Sequence, residues 1–215
     1  MEVTGFAEIQ LQLARHVILT DQFDKIRRVG GCDVSLRKSR RSTDGAAAIA
    51  VFSYPEMELL EVSAVPGCVE FPYVPGYLSF RELPLLTEAF TRLKERPDLL
   101  ILDGHGLAHP RRFGVACHAG VALDIPTIGC AKSLFVGEFK PFKLLRGKRS
   151  PLLLDNEKVG YALCTQDGVK PIFVSPGHRI SFPTAVEIVL RCAPHYRLPE
   201  PTRLAHMESR RAIEQ

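Results

Sequence analysis

Residues 29–65 read VGGCDVSLRKSRRSTDGAAAIAVFSYPEMELLEVSAV. Three apolar runs stand out, Val29–Arg37, Ala46–Ser53 and Leu59–Val65. A charged turn at Ser39–Asp44 and a short turn at Tyr54-Pro55-Glu56 separate them. Runs of this length with tight polar connections predict three strands in an antiparallel meander. Asp33 interrupts the first run. A carboxylate there is costly to bury unless something cationic satisfies it; the other reading is a strand residue facing solvent.

Working outward, Phe6–Leu19 places Phe6, Ile9, Leu13, Val17 and Ile18 near one helical face. Cys68–Gly76 contains Pro72 and Pro75 and is predicted to be irregular. Glu82–Arg96 reads as a helix, Leu99–Leu102 as a short strand, Phe113–Leu123 as a helix and Pro126–Cys130 as a strand. Pro141–Ser150 reads as an exposed basic loop, and Tyr161–Thr165 and Ile172–Val174 as strands. Ser175-Pro176-Gly177-His178 is expected to break the chain, and Phe182–Cys192 to form the last long helix. A meander followed by helix, strand, helix, strand predicts an α/β fold, a mixed central sheet flanked by helices. We expect one domain over residues 1–215, with a polar C-terminal tail from about residue 204 that can fray.

Bulk properties bound the function. A chain of 215 residues with 46% hydrophobic content suits one globular domain. The 24% of charged residues argues against disorder, and the net charge of +4 is compatible with a polyanionic partner without establishing one. Six cysteines form no Cys-x-x-Cys pair, so reduced, buried thiols in a cytoplasmic protein are expected rather than zinc or disulfides. The first residues do not read as a signal peptide, and no apolar stretch approaches a membrane span.

Asp103 ends the run Leu99–Leu102 and is followed by Gly104 and Gly106, which let a backbone turn and a ligand approach. The competing, less favoured reading is an Asx-turn residue closing the strand. Asp33 and Asp103 together could bind a hard cation such as Mg²⁺ through oxygen. Glu82, read at a helix start, could act on a water of that cation or simply favour the first helical turn. His178 and His109 could handle protons or be ordinary loop histidines, whereas His16, His195 and His206 carry no motif. Lys132 could neutralise a phosphate, and Arg111, Arg112 and the Lys143–Arg149 run could track a phosphate backbone; solvated charge is the plainer reading of each. The stiff stretch Phe71–Tyr77 could push an aromatic ring into a base stack or pack on the core.

Taken in order, GCDVS (31–35), PYVPGYLSFRE (72–82), DGHGLAHPRR (103–112), PTIGCAK (126–132), GHR (177–179) and YRLPEPTR (196–203) resemble the endonuclease V family, in its bacterial form. The match runs over nearly the whole chain. The resemblance implies a ribonuclease-H-like fold and a deoxyinosine-directed DNA repair endonuclease that cuts the second phosphodiester bond 3′ to the lesion, leaving 3′-hydroxyl and 5′-phosphate ends. It implies Asp33 and Asp103 as Mg²⁺ ligands, with Mn²⁺ able to substitute, and Glu82 and His178 acting on the metal's waters. Lys132 would meet the scissile phosphate and Tyr73 would be the wedge. Gly76, Leu78, Gly106 and His109 would contact the displaced base. The implied partner is inosine-containing DNA, single- or double-stranded, with inosine-containing RNA as an alternative, no membrane, and a monomeric protein. Leu36, where members often have an aromatic, and Cys32, where Val or Ala is more usual, depart from the pattern but stay apolar. A non-catalytic lesion-binding module and another ribonuclease-H-like nuclease acting on RNA or hybrids are the competing readings.

Overall fold

Side-chain alternation along one alanine-rich strand explains how the sheet is covered. The computed structural model describes residues 4–38 and 43–214. The meander forms as β1 (Arg28–Lys38), β2 (Thr43–Ser53) and β3 (Leu59–Cys68), antiparallel throughout. Most of the turn read at Ser39–Asp44 lies outside the described residues. On β2, Ala47, Ile49 and Val51 enter one core cluster, while Ala48, Ala50 and Phe52 enter another on the opposite face. Alternate residues of a strand point to opposite faces, so this strand is buried on both.

The first face is covered by α2 (Leu78–Thr91) through Leu85, Leu86, Ala89 and Phe90 and by α3 (Val115–Leu123) through Val115, Ala116 and Ala119. β4 (Leu99–Leu102) and β5 (Thr127–Ala131) are parallel to β1, and every residue of β4 is buried. Burying each of those Leu and Ile side chains contributes about 1.5–3 kcal/mol, which fixes this central strand firmly. β6 (Arg149–Leu154), β7 (Glu157–Leu163) and β8 (Ile172–His178) complete an eight-stranded sheet of order β3-β2-β1-β4-β5-β8-β7-β6. α4 (Phe182–Cys192) packs Val186 and Val189 on the second face against Ile128 and Val174. α1 (Thr4–Ala14) lies beside α3. The mixed sheet with helices on both faces is the expected ribonuclease-H-like arrangement.

Several boundaries differ from the sequence reading. β8 runs through Ser175-Pro176-Gly177 to His178, because Pro176 sits beside a register irregularity at Thr127/Ile128 where the lost N–H costs little. α2 begins at Leu78 and contains Pro84, so Glu82 lies beyond its first turn rather than at its start. β6 and the hairpin to β7 did not stand out in the sequence. Cys68 is exposed, unlike the other five thiols, and no cysteine is disulfide-bonded among the described residues.

The polar tail is helical over its described residues. It forms α5 (Glu200–Glu214), whose small buried residues Thr202, Ala205 and Ser209 lie against β1 and β2. Ala48 and Ala50 let the helix come close. At Gly31 the fit is closer still: a Cβ would stand 2.0 Å from the Pro201 carbonyl carbon, so only glycine is compatible with the docked helix.

Candidate functional site

α5 settles which histidine meets the acids. On β1, Gly31, Asp33 and Ser35 share the face that α5 covers. Asp33 Oδ2 accepts hydrogen bonds from Ser209 Oγ at 2.6 Å, Ser35 Oγ at 3.2 Å and His206 Nδ1 at 3.2 Å. A carboxylate oxygen only accepts, so Nδ1 of His206 carries a proton in this contact, and Nε2 is its other ring nitrogen. Asp103 follows β4, and its backbone N–H donates to Cys32 O, which holds it next to Asp33 across the parallel pair. Its Oδ2 pairs with Lys132 Nζ at 2.5 Å, and Lys132 comes from the end of β5. The carbonyl of Lys132 accepts from Arg197 Nη2 at 2.6 Å, anchoring that turn.

One set of ligand atoms among the described residues is close enough to share a metal ion. It is Asp33, Asp103 and His206, all within 4.8 Å of one another. Glu82 lines the same narrow crevice as Asp33 and Asp103 without joining the set. Burial, then the charges of Asp33 and Asp103, push its carboxyl well above the usual carboxylate range. Asp103 is raised too, by burial, with Lys132 pulling the other way. Acids gathered at such electrostatic cost fit a divalent cation, which would relieve their repulsion, and two carboxylates are the donors Mg²⁺ favours.

Beside the crevice opens a cavity of about 250 Å³, lined among others by Tyr73, Gly76, Leu78, Gly104, His109 and Phe135. Val115 lines both spaces. Tyr73 is 64% exposed at the cavity rim, between the two prolines that stiffen its loop. Gly76 has φ +83°, and its carbonyl accepts from three donors: Arg111 Nη2 at 2.8 Å, His109 Nε2 at 3.1 Å and Gln10 Nε2 at 3.1 Å. His109 therefore carries its proton on Nε2, while Nδ1 accepts from Arg111 N. Burial and the adjacent Arg111 hold its pKa down at about 4, so this ring is neutral near pH 7.

Of the residues singled out from sequence, the structure brings together Asp33, Glu82, Asp103 and Lys132 in one place and Tyr73, Gly76, Leu78 and His109 in the adjoining one. Two stand elsewhere. His178 ends β8 opposite Thr127, the first residue of β5, whereas Asp103 and Lys132 lie past the other ends of their strands. Five residues of β5 separate those edges, roughly 13 Å of strand. There His178 Nδ1 accepts from Ile18 N at 3.3 Å, so it anchors the chain after α1. Gly106 does not line the cavity; its N–H donates to Ser175 Oγ and a Cβ there would meet Pro176 O at 2.1 Å.

The basic residues also divide. Arg112 is spent on Asp155, Glu157 and Leu154 O. Arg111 is held by Gln10 Oε1, Gly76 O and the Tyr77 ring, and Arg146 by the carbonyls of Thr165, Leu190 and Ala193. None of these three is a loose phosphate contact. Sequence reading missed Gln10, His206 and Ser209. The available signal for the last two was the stripe Thr202, Ala205, His206, Ser209 at helical spacing behind Glu200-Pro201, a helix-start pair.

Known proteins share this sequence pattern and fold. A family model described as Endonuclease V matches residues 11–207. The chain is 47% identical over 205 residues to Endonuclease V of Dictyoglomus thermophilum, covering 95% of this chain and 88% of that one. It superposes on the crystal structure of Endonuclease V from Streptomyces avermitilis with TM-score 0.93 and 40% identity, over 99% of this chain and 93% of that one. It superposes on Ciona intestinalis Endonuclease V in complex with a 24mer DNA containing an inosine followed by a ribo-adenosine, with TM-score 0.88 and 31% identity, over 99% and 98% of the two chains.

Proposed function

Because the chain belongs to the endonuclease V family, we propose that it is a repair endonuclease that finds deoxyinosine in DNA and cuts the second phosphodiester bond 3′ to it, leaving 3′-hydroxyl and 5′-phosphate ends. Mg²⁺ is its cofactor, and Mn²⁺ substitutes. The observation that carries this reading is the adjacency of an acid-lined crevice and a base-sized cavity sharing Val115. The inosine-containing DNA bound by the Ciona relative supports the substrate.

Asp33 and Asp103 would hold the cation, which when bound would supply Lewis acidity toward the phosphate. Lys132, paired with Asp103, lies where its ammonium can meet negative charge on the phosphate. Glu82 and His206 flank the two aspartates and orient the attacking water; His206 Nε2 and the Glu82 carboxylate are the atoms able to take its proton. Tyr73 fills the gap in the stack while the displaced base enters the cavity over Gly76 and Leu78. The chain works as one catalytic domain and as a monomer. Thiols without disulfides among the described residues support a reducing cytoplasmic setting. No helix of the described residues is long and apolar enough to cross a membrane.

A lesion-binding module without catalysis has no reason to concentrate three carboxylates where phosphates must approach. The test is an end-labelled duplex with one inosine, incubated with protein and Mg²⁺. We expect a single nick one nucleotide beyond the lesion's own 3′ phosphate, none with chelator, and none from Asp103→Ala. A nick that survives either treatment overturns the metal assignment. No nick from the unaltered protein, on DNA or on inosine-containing RNA, overturns the function.

A further inference from the structure

A third space shares His206 with the Asp33–Asp103–His206 set. It is a groove of about 350 Å³ between the end of β1 and α5, lined by Ser35, Leu36, Arg37, His206, Arg210, Ile213 and the carboxylate-bearing Glu214. The three spaces follow the order of the sheet. The base cavity takes residues just beyond β4 and β5, the aspartates sit at β1 and β4, and the groove takes the end of β1. Shared residues join them: Val115 belongs to cavity and crevice, and His206 to the aspartate set and the groove. A strand with its base in the cavity and its scissile phosphate at the aspartates must continue toward the groove.

The groove suits a phosphate. Arg203, His206 and Arg210 recur at i, i+3, i+7 and so share one face of α5. Arg210 is exposed and makes no ion pair or hydrogen bond with any described residue, unlike Arg211, which pairs with Glu208, and Arg203, which pairs with Glu200. Arg37 is exposed and only loosely paired, to Asp44 at 3.6 Å. The charge balance of the lining is positive, with two guanidinium groups against Glu214. The apolar surfaces of Leu36 and Ile213 give a sugar or base something to rest on.

We propose that this groove seats the DNA nucleotide on the far side of the scissile bond from the lesion, with Arg210 and Arg37 contacting its phosphate. The proposal rests on the nuclease reading above. Two anchor points, base cavity and groove, would then hold the strand on both sides of the bond that is cut, which fixes the cleavage position relative to the lesion. Lesion recognition alone would leave the scissile phosphate free to slide.

The test uses inosine oligonucleotides carrying one uncharged methylphosphonate in place of the first phosphate beyond the cleaved bond. For the unaltered protein we expect kcat/KM to fall about tenfold, the loss of a charge-assisted contact. For Arg37→Ala/Arg210→Ala we expect a similar fall on the natural oligonucleotide and no further fall on the modified one. The groove assignment is overturned if the modification leaves the unaltered protein's rate unchanged, or if both proteins lose the same factor. Binding of the same oligonucleotides without divalent metal, read by fluorescence anisotropy, separates the two hypotheses. If no nicking occurs but the modification weakens binding to the unaltered protein alone, the nuclease reading fails and the groove stands. If binding shows no such difference, the groove fails whatever the nicking result.

Discussion

A single carbonyl, that of Gly76, organises one wall of the cavity proposed to receive the base. It accepts from Gln10, His109 and Arg111, and the Gln10 amide also reaches Phe113 O at 3.3 Å while its oxygen accepts from Arg111. Gln10→Glu keeps the size and the Arg111 contact but cannot donate to either carbonyl. We expect the ratio of kcat/KM for inosine over adenine to fall roughly tenfold, since each lost hydrogen bond is worth about 0.5–1.5 kcal/mol. A drop in melting temperature with that ratio unchanged would reduce Gln10 to a purely structural residue. Asp33 and Asp103 were legible in sequence because a carboxylate ending or interrupting an apolar run has contrast. Gln10 alternates with other polar residues along an amphipathic helix, and His206 sits in a polar helical stretch with only the small-residue stripe beside it, so neither had that contrast. His178 misled because a Pro-Gly-His sequence imitates an exposed loop, while its real setting is a buried strand end.

Among the elements, α5 matters most for the acid site, since it delivers His206 and Ser209 to Asp33 from a position far along the chain. Its seat is Gly31, where any side chain would strike the backbone of Pro201 and Thr202. We expect Gly31→Ala to lift the helix and destabilise the fold by about 1–3 kcal/mol, the usual cost of overpacking. Urea denaturation should show the lower midpoint. Nicking should fall more steeply than folded fraction, because the His206–Asp33 bond depends on the docked helix; equal falls would mean that α5 placement does not govern the site. The meander, β4, β5 and α4 were readable from periodicity and strand length. α5 was not, because its buried stripe is made of Thr, Ala and Ser, which carry little hydrophobic signal. β8 was cut short in the reading by a proline that the register irregularity tolerates.

Across the whole molecule, burial of histidines links stability to acidity. His118, bonded to Ser79 Oγ and packed on Phe80 and Phe113, has its pKa lowered to about 4 by burial, as does His109 by burial and Arg111. An unfolded chain protonates these rings near pH 6.5. Below that pH the unfolded state binds more protons, so the stability they contribute is complete above about 6.5 and is lost as pH falls toward 4. Glu82, raised in the folded state, works in the opposite direction by taking up its proton first on folding. His118→Gln removes one of the titrating rings without touching the acids. We expect its urea midpoint to fall less than that of the unaltered protein between pH 7 and pH 5; parallel curves would reject His118 as a source of acid sensitivity.

The triply bonded Gly76 carbonyl has a kinetic meaning as well. A cavity wall tied by three donors is in place before any base arrives, so its ordering entropy is lost during folding and not at each encounter with DNA. On the proposed function, the slow event in inspecting a nucleotide would then be its exit from the stack, a property of the nucleic acid and its pairing partner. Such a protein would act fastest on bases that leave the helix easily.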